Sequence, residues 1–240
     1  PAKFVSMCCD AAKGGITVAV ACGLVGVMMG TLTLTGLGFR LSNMLVSLSH
    51  GSLVLLLILC MITSLIMGMG LPSLACYVLL ATLVAPALIR MNVEPIAAHL
   101  FLFYFGIIGN VTPPVAGAAY CAAGIAQSNP MKTGIQAFLL SISGFLIPYV
   151  FAFNPALVMV GSIGNTIWTF ITAFFGVYCI SAAIEHYLFW KLNIFETISM
   201  FVAATLMVVP DIPTDFAGFA IFAAVLLMHR LSGKSLPDPL

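Results

Sequence analysis

Two short stretches place glycine, proline and small oxygen-bearing side chains inside otherwise apolar sequence: Gly68-Met-Gly-Leu-Pro-Ser73 and Gly109-Asn-Val-Thr-Pro-Pro-Val115. The first interrupts a run from Leu41 to Ile89 that holds no Lys, Arg, Asp or Glu. Glycine and proline at such positions leave backbone N–H and C=O groups without helical partners. Hydrocarbon cannot satisfy those groups, so each break must be buried in protein or face a polar cavity. Unwound carbonyls and helix C-terminal ends suit a small hard cation such as Na⁺, while half-helix N-termini favour a carboxylate. At the first break Gly68 and Gly70 let the backbone turn without Cβ clashes, and Ser73 opens the following arm. At the second, Pro113 and Pro114 remove two N–H donors, which leaves carbonyls around 109–111 for an ion. Thr112 adds a hydroxyl and Asn110 an amide, so Ser73, Asn110 and Thr112 are the candidate substrate contacts. Paired interruptions of this kind point to a transporter's site; the bland alternative is a pair of helix kinks.

The elements that carry these breaks belong to a membrane protein. The chain of 240 residues is 62% hydrophobic and 6% charged, against about 25% charged in soluble domains, and its mean hydropathy is +1.19. Uncharged runs at 41–89, 95–131 and 133–184 each exceed the roughly 20 residues of one span, so each must fold back or break. Continuous Leu/Ala/Val/Phe sequence lacks the alternation of a β-barrel, so the fold class is all-α and polytopic. A net charge of +1 offers nucleic acid no basic face. The seven cysteines show no CxxC and read as small apolar packing residues. No resident cofactor is implied.

Residues 1–50 read as an interfacial helix over 2–13, a first span from Ile16 to Leu37, and an amphipathic connector from Gly38 to His50 with Arg40 at the interface. Residues 51–132 hold the transport elements. Within them, 51–89 makes a helical hairpin with its tip at Gly68–Pro72. Its arms are about 17 residues each, about 25 Å at 1.5 Å per residue. Residues 95–127 make a helix broken near its middle. A span over 133–160 is kinked at Pro148, and 161–240 contains three further apolar segments, Ile163–Ile184, Ile194–Val209 and Phe216–Met228. Thr214 or Asp215 would cap the last of these. Trp168, Tyr187 and Trp190 read as interfacial belt residues. The basic pair Arg230 and Lys234 would favour a cytoplasmic C-terminus. Pro1-Ala2-Lys3 has no initiator Met and leads into no apolar signal region, so the chain reads as a piece of something longer.

Rival classes lack their residues. Asp10, Asp211 and Asp215 lie outside the expected spans, so no intramembrane aspartyl pair forms. Ser143-Gly144 finds no deep His, and no HExxH is present. Channels are disfavoured because no charged ring or carbonyl-filter sequence repeats. With no charged residue inside the expected membrane core, coupling to H⁺ is disfavoured relative to Na⁺.

A string of motifs carries a resemblance: Gly68-Met-Gly-Leu-Pro-Ser, Tyr77-Val-Leu-Leu-Ala, Leu83-Val-Ala-Pro-Ala-Leu, Pro95-Ile-Ala-Ala-His-Leu-Phe-Leu-Phe-Tyr-Phe-Gly, Thr112-Pro-Pro-Val, Ala122-Ala-Gly-Ile-Ala, Asn129-Pro-Met-Lys-Thr-Gly and Phe153-Asn-Pro-Ala-Leu. Together they resemble the large membrane subunit of tripartite ATP-independent periplasmic (TRAP) transporters, in the fused-permease branch that works with TAXI-type periplasmic solute-binding proteins. The resemblance runs over essentially the whole chain. It implies an elevator-type secondary transporter in the bacterial inner membrane, of which this chain is the C-terminal repeat, its N-terminal repeat missing. It also implies sodium sites on Gly68, Gly70, Gly109, Thr112 and Val115, largely through backbone oxygens. Cargo would be a small organic acid such as a C4-dicarboxylate, a 2-oxoacid or glutamate. The alternatives are another anion permease of the ion-transporter class and a non-transporting membrane anchor or assembly subunit.

Overall fold

The computed structural model describes residues 2–188, 191–209 and 211–231; Trp190, Lys234 and the side chain of Arg230 lie outside the described residues. The chain is helical, with no strand among the described residues. Three stretches there are long and apolar enough to cross a membrane, Ser73–Arg90, Pro130–Phe153 and Ile163–Glu185. The chain divides into two compact units. One comprises 1–92 with 102–110, the other 93–101 with 111–240.

In the first unit, α1 (Ala2–Thr35) is one continuous helix. The expected division into an interfacial helix and a separate span is therefore not seen. At 1.5 Å per residue it is about 51 Å long, well beyond a hydrocarbon core of about 30 Å. Gly36, with φ 65, turns the chain into α2 (Leu37–Leu48). There follow α3 (Leu53–Gly68), α4 (Ser73–Leu83) and α5 (Ala85–Arg90). Ser52 caps α3 by accepting from the Leu55 N–H. α2 packs on α3, α4 and α5, burying Leu45, Leu56, Leu57, Leu79, Leu80 and Leu88.

The second arm of the expected hairpin is bent at Val84 (φ −113), between α4 and α5. Pro86 explains the position, because its missing N–H removes the i→i−4 bond one turn upstream. Arg90, expected in an interfacial loop, ends α5 and donates to Asn43 Oδ1 of α2. Its guanidinium lies 4.9 Å from the centre of the Phe39 ring, so it also clamps α2 to α5.

The same proline rule operates in the second unit. The expected kink at Pro148 falls upstream, as a 3₁₀ turn at Ser143–Phe145 between α8 (Pro130–Ile142) and α9 (Leu146–Phe153). Beyond it lie α10 (Ile163–Glu185), α11 (Ile194–Leu206) and α12 (Ile212–Leu231). α11 packs on both of its neighbours around Cys179, Ala183, Met200, Ala203, Ala204 and Val225. Gly218 permits close approach, since a Cβ there would lie 2.8 Å from Met207 Cγ. The packing role expected of cysteine holds for buried Cys60, Cys76 and Cys179, whereas Cys8, Cys9 and Cys121 are exposed.

α12 starts at Ile212, earlier than expected, because Pro213 fits a first helical turn. Neither Thr214 nor Asp215 is then its N-cap. The Thr214 hydroxyl donates to the Asp211 carbonyl at 2.7 Å. Asp215 is 6% exposed and accepts from Trp168 Nε1 at 2.7 Å, so Trp168 tethers α10 to α12. We expect Trp168→Phe to destabilise the protein by about 1–3 kcal/mol, by leaving a buried carboxylate without its donor. Asp215→Asn, which retains an acceptor for the indole, should lose less. Unfolding in denaturant measures both, and a Trp168→Phe midpoint equal to wild type would refute the tether.

Candidate functional site

The first break is built from the ends of α3 and α4. α3 stops at Gly68; Met69 is extended (φ −67, ψ 115), and its N–H bonds to the Ile66 carbonyl at 3.3 Å. Gly70 adopts φ 80, a conformation that costs a side-chain-bearing residue energy. Pro72 then leads into α4 at Ser73, and no side chain caps that helix start.

Against this turn runs the C-terminal part of α6 (Pro95–Ile108), ending in a 3₁₀ turn at Gly109–Val111. The contact is backbone on backbone. A Cβ on Gly68 would land on the Gly106 carbonyl oxygen, and one on Gly109 would lie 2.7 Å from the Gly68 carbonyl carbon and 2.9 Å from the Leu65 oxygen. On its other side, a Cβ on Gly106 would meet Cys76 Sγ and Leu80 Cδ1 of α4, each at 2.9 Å. Tyr77 and Phe103 meet edge to face, 5.3 Å between ring centres. The tip therefore closes because Gly68 and Gly109 let main chains touch while Gly106 admits the Cys76 and Leu80 side chains of α4, the small-residue logic of helix contact in a membrane. Gly106 was missed in the sequence reading. Its signal was a second glycine three residues before Gly109, a small residue that lets a neighbouring helix approach closely.

Among the candidate residues, the structure brings Gly68 and Gly109 into contact, with Gly70 in the adjoining turn and Ser73 exposed at the start of α4. Asn110 follows Gly109 within the 3₁₀ turn and is half-buried. The open row of carbonyls expected around 109–111 is narrowed, because a 3₁₀ turn uses i→i+3 bonds of its own.

Thr112 and Val115 belong to the second unit. Thr112 is 7% exposed and Val115 is 40% exposed. The Thr112 carbonyl accepts from the Ala116 N–H at 3.0 Å. The Pro113–Pro114 bond is cis, and Ala116 sits at φ 29 just before α7 (Gly117–Ala126), whose start also has no side-chain cap. The Tyr120 hydroxyl donates to the Pro114 carbonyl at 2.7 Å. Gly134 of α8 gives the Tyr120 ring room, since a Cβ there would lie 2.9 Å from Cε1. The break is thus held by the helices after it. A separate groove of about 510 Å³, lined by Ile147, Phe151, Phe170, Phe174, Tyr178 and Ser181, is largely apolar and carries no charged or amide side chain for an organic acid.

Two helices interrupted by glycine and proline within an all-α membrane chain define a polytopic membrane protein with transporter-like broken helices. The family model described as the tripartite ATP-independent periplasmic transporter, DctM component, matches residues 2–166. The chain belongs to that family of transporter membrane components. The match stops short of the whole-chain resemblance, leaving nearly all of α10 and both later helices outside it. Neither a curated protein nor a solved structure matches the chain.

The crossing predicts a steep position effect. Gly68→Ala should destabilise the protein by about 1–3 kcal/mol, as overpacking does where only backbone can yield. Gly124→Ala, inside α7 with open space around it, should be neutral or stabilising by up to about 1 kcal/mol. Thermal unfolding of the two variants makes the comparison, and equal midpoints would rule out the close crossing.

Proposed function

We propose that this chain is the permease part of a sodium-coupled TRAP transporter that imports a small organic acid. The acid is of the C4-dicarboxylate, 2-oxoacid or glutamate kind, delivered by a TAXI-type periplasmic solute-binding protein. The permease works in the bacterial inner membrane, together with a preceding repeat of the same permease. Family membership supports the transporter reading, and one structural observation carries the coupling: α3 ends in an unwound turn whose backbone lies directly against the Gly109 turn. The C-terminal end of a helix presents carbonyls and negative partial charge, which attract a cation.

In this reading Na⁺ is held mainly by backbone oxygens of Gly68, Gly70, Gly109, Thr112 and Val115. The uncapped starts of α4 and α7 offer N–H groups and positive partial charge to a carboxylate. Ser73, Asn110 and Thr112 are its side-chain contacts. Sodium orders the two breaks, the substrate carboxylate then binds, and the hairpin and broken helix cross the membrane as a body in the elevator manner.

The deciding measurement is the thermal unfolding midpoint of the full-length permease in Na⁺ against equal K⁺ or choline. A ligand that binds only the folded state stabilises by RT ln(1 + [L]/Kd), about 2.7 kcal/mol at 100 Kd. We expect a Na⁺-specific rise, lost in Thr112→Ala, together with Na⁺-dependent uptake when binding protein and substrate are supplied. Identical midpoints in all three cations would reject sodium coupling.

A further inference from the structure

One polar side chain beside the first break has no part in that reading. Ser64 lies in α3 one turn before Gly68, is fully buried, and its Oγ has no hydrogen-bond partner. Helical hydroxyls ordinarily bond back to a carbonyl of the preceding turn, as Thr63 next to it does to Leu59 at 2.8 Å. A buried hydroxyl left unpaired is costly and calls for a ligand, a water or an ion. The following residue supplies a second oxygen. In a regular helix the Leu65 carbonyl would accept from the Met69 N–H, but that N–H bonds to Ile66 instead. The Leu65 oxygen faces the Gly109 turn, 2.9 Å from where a Cβ would sit, and only glycine leaves that space without a side chain.

The surroundings select the ligand. No Lys, Arg, Asp or Glu occurs from Leu41 to Ile89, so the oxygens here are uncharged. Among the described residues no group of His, Cys, Asp or Glu could hold a metal ion. Divalent ions are normally bound through carboxylates, and soft metals through sulfur or imidazole. Neutral hard oxygens at the negative end of a helix suit a monovalent cation. We infer that Ser64 Oγ and the Leu65 carbonyl are direct ligands of one alkali cation at the end of α3. This rests on the sodium-coupled reading and adds to it a side-chain ligand that it lacks in this unit.

The test titrates NaCl into the full-length permease at constant ionic strength, balanced with choline chloride, and follows the unfolding midpoint. Wild type, Ser64→Ala and Ser64→Cys are compared. Both variants remove the hard oxygen, and cysteine nearly keeps the volume. In choline we expect both midpoints to equal or exceed wild type, because an unpaired buried hydroxyl has gone. In Na⁺ both should need at least about tenfold more salt for half of the wild-type shift, the size of effect expected for losing one good ligand contact. An unchanged Na⁺ response in both variants overturns the assignment. So does a midpoint lowered equally in Na⁺ and choline, or failure of both variants to fold, since either makes the hydroxyl structural. A wild type without any Na⁺ response overturns this inference and sodium coupling together. A Na⁺ response that depends on Ser64, in a permease whose uptake needs no Na⁺, supports the site and rejects the proposed coupling.

Discussion

The first unit depends on one contact, the meeting of main chains where Gly68 and Gly109 leave no side chains between α3 and the end of α6, with Gly106 making room for Cys76 and Leu80 of α4. In a bilayer the hydrophobic effect does not press helices together, because lipid is as apolar as leucine. Association must come from close van der Waals approach and from polar groups that need partners. Glycine supplies the first by removing the Cβ. The broken helix ends supply the second, since their backbone groups cannot be left to hydrocarbon. The close crossing and the unwound turn are therefore one device: the break creates polar backbone, and the crossing shields it.

The second unit solves the same problem by other means. Asn154 ends α9, accepts from the Ala156 N–H at 3.1 Å and donates to Thr169 Oγ1 of α10 at 2.9 Å. Trp168 holds buried Asp215 at the start of α12. His186 ends α10 at φ 51, and its Nδ1 pairs with Thr197 of α11 at 3.1 Å. Each side-chain bond joins one helix end to another helix, where the backbone ladder has run out. Aromatic rings fill the remaining space, with Phe175 5.2 Å from Phe219 and 5.9 Å from Phe222 between ring centres. A unit pinned at its helix ends and a tip held by glycine are physically different joints. The first resists displacement through directional bonds, and the second rests on shape alone.

That difference bears on transport. An ion that binds at a shape-held tip can add directional bonds that the polypeptide does not provide, so occupancy alters how firmly the tip is held. Coupling needs no charged side chain in the membrane on this account. In the proposed coupling, backbone dipoles and hydroxyls take the electrostatic role, in keeping with a chain that is only 6% charged.

Much of this was legible in the residues. Apolar length and composition determined an all-α membrane chain, because only helices or closed barrels satisfy backbone in lipid. Glycine and proline located both breaks, since their effect on the backbone is local. Local rules also fail in a regular way. The bends caused by Pro86 and Pro148 fall upstream of the proline, at Val84 and at Ser143–Phe145, within the turn that loses a hydrogen bond. Tertiary structure alone decided which glycines meet, that Ser64 is buried without a partner, and that Asp215 is enclosed against Trp168. The reason is that a membrane helix is apolar all round, so periodicity does not reveal its contact face. Only the packed neighbours show which carbonyl, hydroxyl or carboxylate has lost access to water.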